Sequence, residues 1–418
     1  MQFSNPFVVI FLTGVVVSRL MGITLEILQA RHRAKATAVP KELADEFTAA
    51  ERTTSAAYHT ARAVLSEIAA TVHAVLSICL MACGYYVWLY TATSTCDGIT
   101  AILLCALGAA IPPAVLSVPF SAVSEFTIEK RFGFSHMSAS MWIRDLLVSL
   151  VVNIVIAAIL LVVMELLIEH TALWWLIFGA VYVLFSVGVS LLYPLFIAPL
   201  FNKFTPLADG ALKTRILSYL DQAGFHADGV FVMDASKRSR HSNAYFTGFG
   251  KSKRVVLYDT LIEQLTVDEV GAVIAHELGH YKHHHVIKRL CAHAVIVFAV
   301  LFVLSLLVVK PSLYAGFGFS VAVPVPQRAL FVGLFLLAEI GENYSLAASV
   351  IVNLFSRRDD YEADAYAQAV CGTGESLISA LIKLNKENRG EISPAPLYSA
   401  VYYSHPTLAE RITRLHQH

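Results

Sequence analysis

Four stretches of this chain, residues 98–124, 146–164, 171–202 and 290–309, contain no Asp, Glu, Lys or Arg. A run of roughly 20 apolar residues is long enough to cross the hydrocarbon layer of a bilayer as a helix. In that layer every backbone N–H and C=O must be satisfied inside the protein, which a helix does within one segment. Three further apolar segments carry isolated polar groups: 6–28 with Arg19, 64–95 with Glu67 and His73, and 329–355 with Glu339 and Glu342. Seven spanning helices are therefore expected. Acids inside a span are costly in lipid and belong on a cavity or bundle interior. The composition agrees: 15% of residues are charged and mean hydropathy is +0.63, against about 25% charged in an ordinary soluble domain. The first segment lacks a basic leader and is read as a helix that stays in the membrane.

Formal net charge is zero, so no nucleic-acid partner is expected. The six cysteines include no CxxC pair, and no disulfide framework is inferred. Lys and Arg concentrate in residues 29–63, 125–145 and the polar insert 203–283, while the turns 93–97 and 165–170 hold none. Cytoplasmic loops carry that excess. The N-terminus is thus expected outside or in a lumen, with the insert and the C-terminal tail in the cytoplasm. Four parts follow: 1–202 with five spans, 203–283 as a cytosolic insert, 284–355 with two spans, and 356–418 as a cytosolic tail. Within the insert, "GVFVMD" (229–234) and "KRVVLYD" (253–259) are β-branched runs separated by turn residues, predicting a small hairpin-like sheet.

After Thr266 and Glu269, spaced as a capping box, comes "VIAHELGHYKHHH" (273–285). The helix beginning there is expected to run on into the apolar segment after Arg289. Positions i and i+4 of a helix lie about 40° apart on neighbouring turns, so His276 and His280 can aim at one ion. Glu277, one step round, can reach a water but not a ligand position. Zinc accepts N and O donors and leaves a fourth position open for water. It brings the pKa of such a water to ~7, where Glu277 can take the proton. A third ligand is needed. The acid-rich "RRDDYEADAYAQA" (357–369) offers Asp360, with Asp364 on the same helical face and Glu362 pointing elsewhere. If Asp360 binds the ion, Asp364 can accept from a ligating histidine. In the tract Lys282–His285, His284 is i+4 from His280 and would share its face.

Further stretches include "EKRFGFS" (129–135), "YPLFIAPLFNKFTPL" (193–207), "SKRSRHSNAYFTGFGKSKRVVLYDTLI" (236–262), "SRRDDYEADAYA" (356–367) and "YYSHPTLAERI" (402–412). With the HExxH stretch, and in this order, they resemble the type I CAAX prenyl protease family, integral-membrane zinc metalloproteases of gluzincin type. The resemblance implies an all-α membrane fold of seven transmembrane helices, a barrel around a large chamber, capped by a cytosolic HExxH domain with a small β-sheet. It implies one Zn2+ per chain on His276, His280 and residue 360, where the family has Glu and this chain has Asp360, with Glu362 as the reserve ligand. That side chain is one methylene shorter, a reach deficit of about 1.3 Å. Asp364 would support a ligating histidine. The resemblance also implies that Asn243 holds the substrate backbone, His405 stabilises the oxyanion and Arg411 orients substrate or neighbouring acids. The expected activity is removal of the last three residues of prenylated CaaX proteins by a monomer embedded in membrane lipid, in a bacterial inner membrane or the endoplasmic reticulum. A membrane-protein quality-control protease and a zinc-binding but weakened homologue stay open as alternatives, the latter because of Asp360.

Overall fold

The charge-free runs are helical, as their backbone requires in hydrocarbon. The computed structural model describes residues 1–35, 40–247 and 253–417. Among the described residues, six helices are long and apolar enough to cross a membrane: α1 (Pro6–Arg33), α2 (Ala49–Ala82), α3 (Gly98–Glu129), α4 (Ala139–His170), α5 (Trp174–Phe201) and, later in the chain, His285–Leu307. Before that last span come α6 (Ala211–Gln222) and α7 (Val267–Lys282), so the span itself is α8. Helices α9 (Gln327–Glu342) and α10 (Ser345–Cys371) follow; Ala329–Glu342 and Ser345–Cys371 pass the same test as a pair bent by 65° at the break between them. Helices α11 (Glu375–Glu387) and α12 (Leu408–His416) lie towards the C-terminus. None of the most apolar window of α4 or α8 is buried inside the protein, which is the surface a lipid-facing helix presents.

Two boundaries differ from expectation. Helix α2 starts at Ala49, well inside the predicted polar loop 29–63. The reason is a complete capping box: Thr48 Oγ1 accepts from the Glu51 N–H, and the Glu51 carboxylate accepts from the Thr48 N–H. At its other end α2 stops at Ala82, and Gly84 at φ 76° turns the chain into a separate helix, Tyr85–Thr93. A left-handed residue costs glycine nothing. The expected span 64–95 is thus two helices.

Between the membrane helices lies a cavity of about 810 Å³, bordered by Arg19, Glu26, Glu67, Glu339 and Glu342. The acids in the nominal spans do face an interior space, and Glu339 accepts from Ser77 Oγ at 2.9 Å.

The insert holds a four-stranded sheet of β1 (Phe204–Pro206), β2 (Val230–Met233), β3 (Ala244–Thr247) and β4 (Arg254–Tyr258), in the order β1-β2-β4-β3. The two predicted runs do pair, but as the parallel β2 and β4, not as a hairpin. The antiparallel partner of β4 is β3, at the sheet edge. Residues 248–252, within the quoted stretch 236–262, lie outside the described residues. Val230, Val255 and Leu257 of the sheet pack with Ile216 and Leu220 of α6 and with Val270, Ile274 and Leu278 of α7 in one core. Each fully buried side chain of this size contributes roughly 1.5–3 kcal/mol.

Helix α7 is held at its start by Glu269. Its carboxylate accepts from the Thr266 N–H at 2.8 Å, closing the predicted capping box, and also from Ser379 Oγ at 2.6 Å and Lys383 Nζ at 2.8 Å on α11. Burial pushes its pKa upward, but the hydrogen bonds from Lys383, Ser379 and Thr266 outweigh that and bring it from 4.5 down to about 2. A folded-state pKa below the unfolded one gives stability that is present above about pH 4.5 and drains away as pH falls toward 2. The size is on the order of 3 kcal/mol. Glu269→Gln should lower the thermal midpoint at pH 7 and flatten its decline between pH 5 and 3, as followed by tryptophan fluorescence in detergent. An unchanged acid limb would show that this carboxylate does not anchor α7.

A candidate metal centre

The HExxH segment does not run on into the next span. Helix α7 ends at Lys282, His284 takes a left-handed conformation with φ 57°, and α8 starts at His285. The expected continuous helix is therefore broken. The i+4 relation of His284 to His280 is lost with it, and His284 is exposed. His285, by contrast, is buried behind His280, 1% exposed.

His276 and His280 project from consecutive turns of α7, with ring centroids 5.0 Å apart. Helix α10 brings Asp360 to them. One ligand-capable atom from each of His276, His280 and Asp360 lies within 4.8 Å of the others. Asp360 Oδ1 stands 3.4 Å from His280 Nε2. The short Asp360 side chain reaches this far because the two helices nearly touch: a Cβ on Gly279 would sit 2.7 Å from Ala363 Cα and 3.0 Å from its carbonyl oxygen. Only glycine permits that approach.

The outer nitrogens of both histidines are occupied. His276 Nδ1 is 2.8 Å from Asp364 Oδ1. Asp364 is in turn gripped by Arg411, whose Nε donates to Oδ2 at 2.9 Å and whose second nitrogen donates to Oδ1 at 2.6 Å. Arg411 is thus engaged with a neighbouring acid. His280 Nδ1 is 2.9 Å from His285 Nδ1. Both Nε2 atoms are left for the centre. Asp360 is fully buried, and its Oδ1 has no hydrogen-bond partner. A buried carboxylate oxygen without a partner is costly. Two imidazole nitrogens and one carboxylate oxygen form a donor set that suits a tetrahedral divalent ion with one open position. The residues present fit such an ion.

Electrostatics favour the same assignment. Burial, reinforced by the charge of His276, takes the His280 pKa down to about 3, so its ring is neutral and its lone pair free. Burial raises the Glu277 pKa, with Asp360 adding to the rise and His276 opposing it. A carboxylate whose pKa is lifted towards neutrality is a better proton acceptor for catalysis. His405 Nδ1 bonds Asp360 Oδ2 at 2.5 Å, while 67% of its side chain is exposed. Asn243 is exposed at the start of β3, its side-chain oxygen accepting from the Ala244 N–H at 2.8 Å. No hydrogen bond among the described residues joins Asn243 to the histidines. Glu362 faces away from the centre, towards His285. A second cavity of about 530 Å³ is lined by His405, Arg411 and Tyr402. Tyr402 also lines the large membrane cavity, so one side chain borders both spaces.

The partnership of His280 with His285 and Glu362 was not visible in the sequence. A residue at i+5 lies off the ligand face of any continuous helix. A left-handed break, which no glycine marks here, is what redirects it.

Known proteins share this architecture. Residues 29–203 match the family described as CAAX prenyl protease N-terminal, five membrane helices, and residues 206–418 match Peptidase family M48. Similar proteins include CAAX prenyl protease 1 of Saccharomyces cerevisiae, 37% identical over 325 residues covering 75% of this chain and 71% of that one. The CAAX prenyl protease 1 homolog of Homo sapiens is 34% identical over 358 residues, covering 76% and 74%. The crystal structure of S. mikatae Ste24p superimposes with a TM-score of 0.90 at 30% identity, over 98% of this chain and 99% of that one.

Proposed function

Because the chain belongs to Peptidase family M48 and to the CAAX prenyl protease family within it, we propose that it is an integral-membrane zinc endopeptidase that removes the C-terminal tripeptide of prenylated CaaX proteins. The observation that carries this is the convergence of His276, His280 and Asp360, with an unpartnered buried carboxylate oxygen aimed into the space between them. The lysine- and arginine-rich loops support a cytoplasmic position for this site and an N-terminus on the opposite side.

A zinc ion held by these three residues would supply Lewis-acid polarisation of the scissile carbonyl and make a water molecule acidic enough to ionise near neutral pH. Glu277 takes the proton of the attacking water and returns it to the leaving amine. Asp364, steadied by Arg411, fixes the orientation of the His276 ring. His405 is held through Nδ1 by Asp360, and in its doubly protonated form its Nε2–H donates to the oxygen that becomes negative in the transition state. Strand β3 is at the edge of the sheet, and an extended peptide can add to such an edge. Asn243 at its start would secure the peptide backbone there.

The test is zinc content by mass spectrometry together with cleavage of a farnesylated CaaX peptide by the purified protein. We expect one zinc per chain and release of the tripeptide, with the unprenylated peptide cut at least tenfold more slowly. Zinc without turnover, recovered in Asp360→Glu, would instead identify a weakened homologue. Absence of zinc from freshly purified protein that cannot be reloaded would end the reading.

A further inference from the structure

We propose that His285 and Glu362 form a positioning relay that fixes the tautomer of His280, so that its Nε2 always faces the metal centre. This rests on the zinc reading given above. His285 Nδ1 lies 2.9 Å from His280 Nδ1, and His285 Nε2 lies 3.1 Å from Glu362 Oε2. A second carboxylate, Asp359, stands 3.6 Å from the same Nε2 and is itself bonded by Arg289 Nε at 2.8 Å.

The order of donors follows from elementary bonding. An ionised carboxylate only accepts, so the proton between His285 and Glu362 resides on His285 Nε2. In neutral imidazole the other nitrogen is then an acceptor, which makes His285 Nδ1 the acceptor facing His280. Between the two Nδ1 atoms one must donate, so His280 carries its proton on Nδ1. Its Nε2 is left as a lone pair, 3.4 Å from Asp360 Oδ1. The charge on Glu362 thereby selects the ligand nitrogen of His280 through two hydrogen bonds.

The two metal-facing histidines are thus held in different ways. His276 meets a carboxylate directly, Asp364. His280 meets one through an intervening imidazole. The backbone break supplies that imidazole. Were α7 continuous, residue 285 would fall on another face, whereas the left-handed His284 swings it behind His280. His285 is 1% exposed, so water does not substitute for it. The relay also joins α7, α8 and α10, because His285 opens α8 and Glu362 sits on α10.

The experiment measures zinc affinity of the full-length protein in detergent, by competition with a chromophoric chelator, alongside the thermal midpoint of the zinc-free form. Partners of ligating histidines typically change metal affinity by roughly 10–100-fold. We expect His285→Phe to weaken zinc binding within that range and Glu362→Ala to weaken it by about tenfold. His285→Gln, whose amide can accept from His280 and donate to Glu362, should remain within about threefold of wild type. Side-chain packing alone would move the zinc-free midpoint and leave the affinity ratio unchanged. Should His285→Phe fail to fold, Glu362→Ala decides, since that side chain is 34% exposed. Wild-type affinity in Glu362→Ala, or equal losses in His285→Gln and His285→Phe, would overturn the relay. A wild-type protein that binds no zinc would overturn the metal reading itself, and the relay with it.

Discussion

Glu277→Gln should leave zinc bound at one per chain and cut the turnover of a prenylated peptide by about 10³-fold, within the usual 10²–10⁴-fold range for loss of a general base. Glutamine keeps the size and hydrogen-bonding capacity of the side chain but cannot accept a proton. The metal should not be lost, because Glu277 is one helical step from His276 and outside the group of atoms that converge. Its half-buried position, which raises its pKa, makes the carboxylate a stronger base than one in free solution. Measuring kcat and zinc stoichiometry on the same preparation separates chemistry from assembly. Turnover within tenfold of wild type would show that another group takes the proton.

The second large effect is expected at a residue with no chemistry. In Gly279→Ala the added Cβ would meet Ala363 Cα at 2.7 Å and its carbonyl oxygen at 3.0 Å. Both are backbone atoms, so no side-chain rotation relieves the contact, and α7 must move away from α10. Overpacking of this kind costs about 1–3 kcal/mol. The zinc site suffers more than the fold, because α7 brings two of the metal-facing groups and α10 the third. With an aspartate at 360 there is no spare reach to follow the separation. We expect zinc to be lost on dialysis under conditions where the wild type retains it, and the thermal midpoint to fall by several degrees. Full zinc retention would mean that the spacing of these helices does not set the geometry of the site.

Much of this could be read from the residue pattern, and what could not has physical causes. The membrane helices were visible because hydrocarbon tolerates few charges and one backbone geometry. His276, Glu277 and His280 were visible because their spacing has meaning only on a helix. The pairing of Asp360 with Asp364 was accessible through the same period. Helix ends fared worse. The start of α2 depends on the reciprocal Thr48–Glu51 cap, a local signal easily overlooked beside the hydropathy that begins later. The sheet's pairing was not legible, because two β-branched runs do not declare their direction, and β3, lying between them in the chain, takes the antiparallel place beside β4. The break at His284 was hidden because a non-glycine residue adopts the left-handed conformation there. With it went the neighbourhood of His285 and the use of Glu362.

Helix α10 has a mechanical consequence. Ser345, Leu346 and Ser349 at its start border the large membrane cavity, and Asp360 lies farther along the same unbroken rod. At 1.5 Å per residue the carboxylate sits about 22 Å from the elbow where α10 meets α9. A swing of roughly 3° there would carry it about 1.2 Å, close to the length of the methylene that separates aspartate from glutamate. The helix that borders the cavity at its start thus carries, on its long arm, the acid that completes the candidate metal centre.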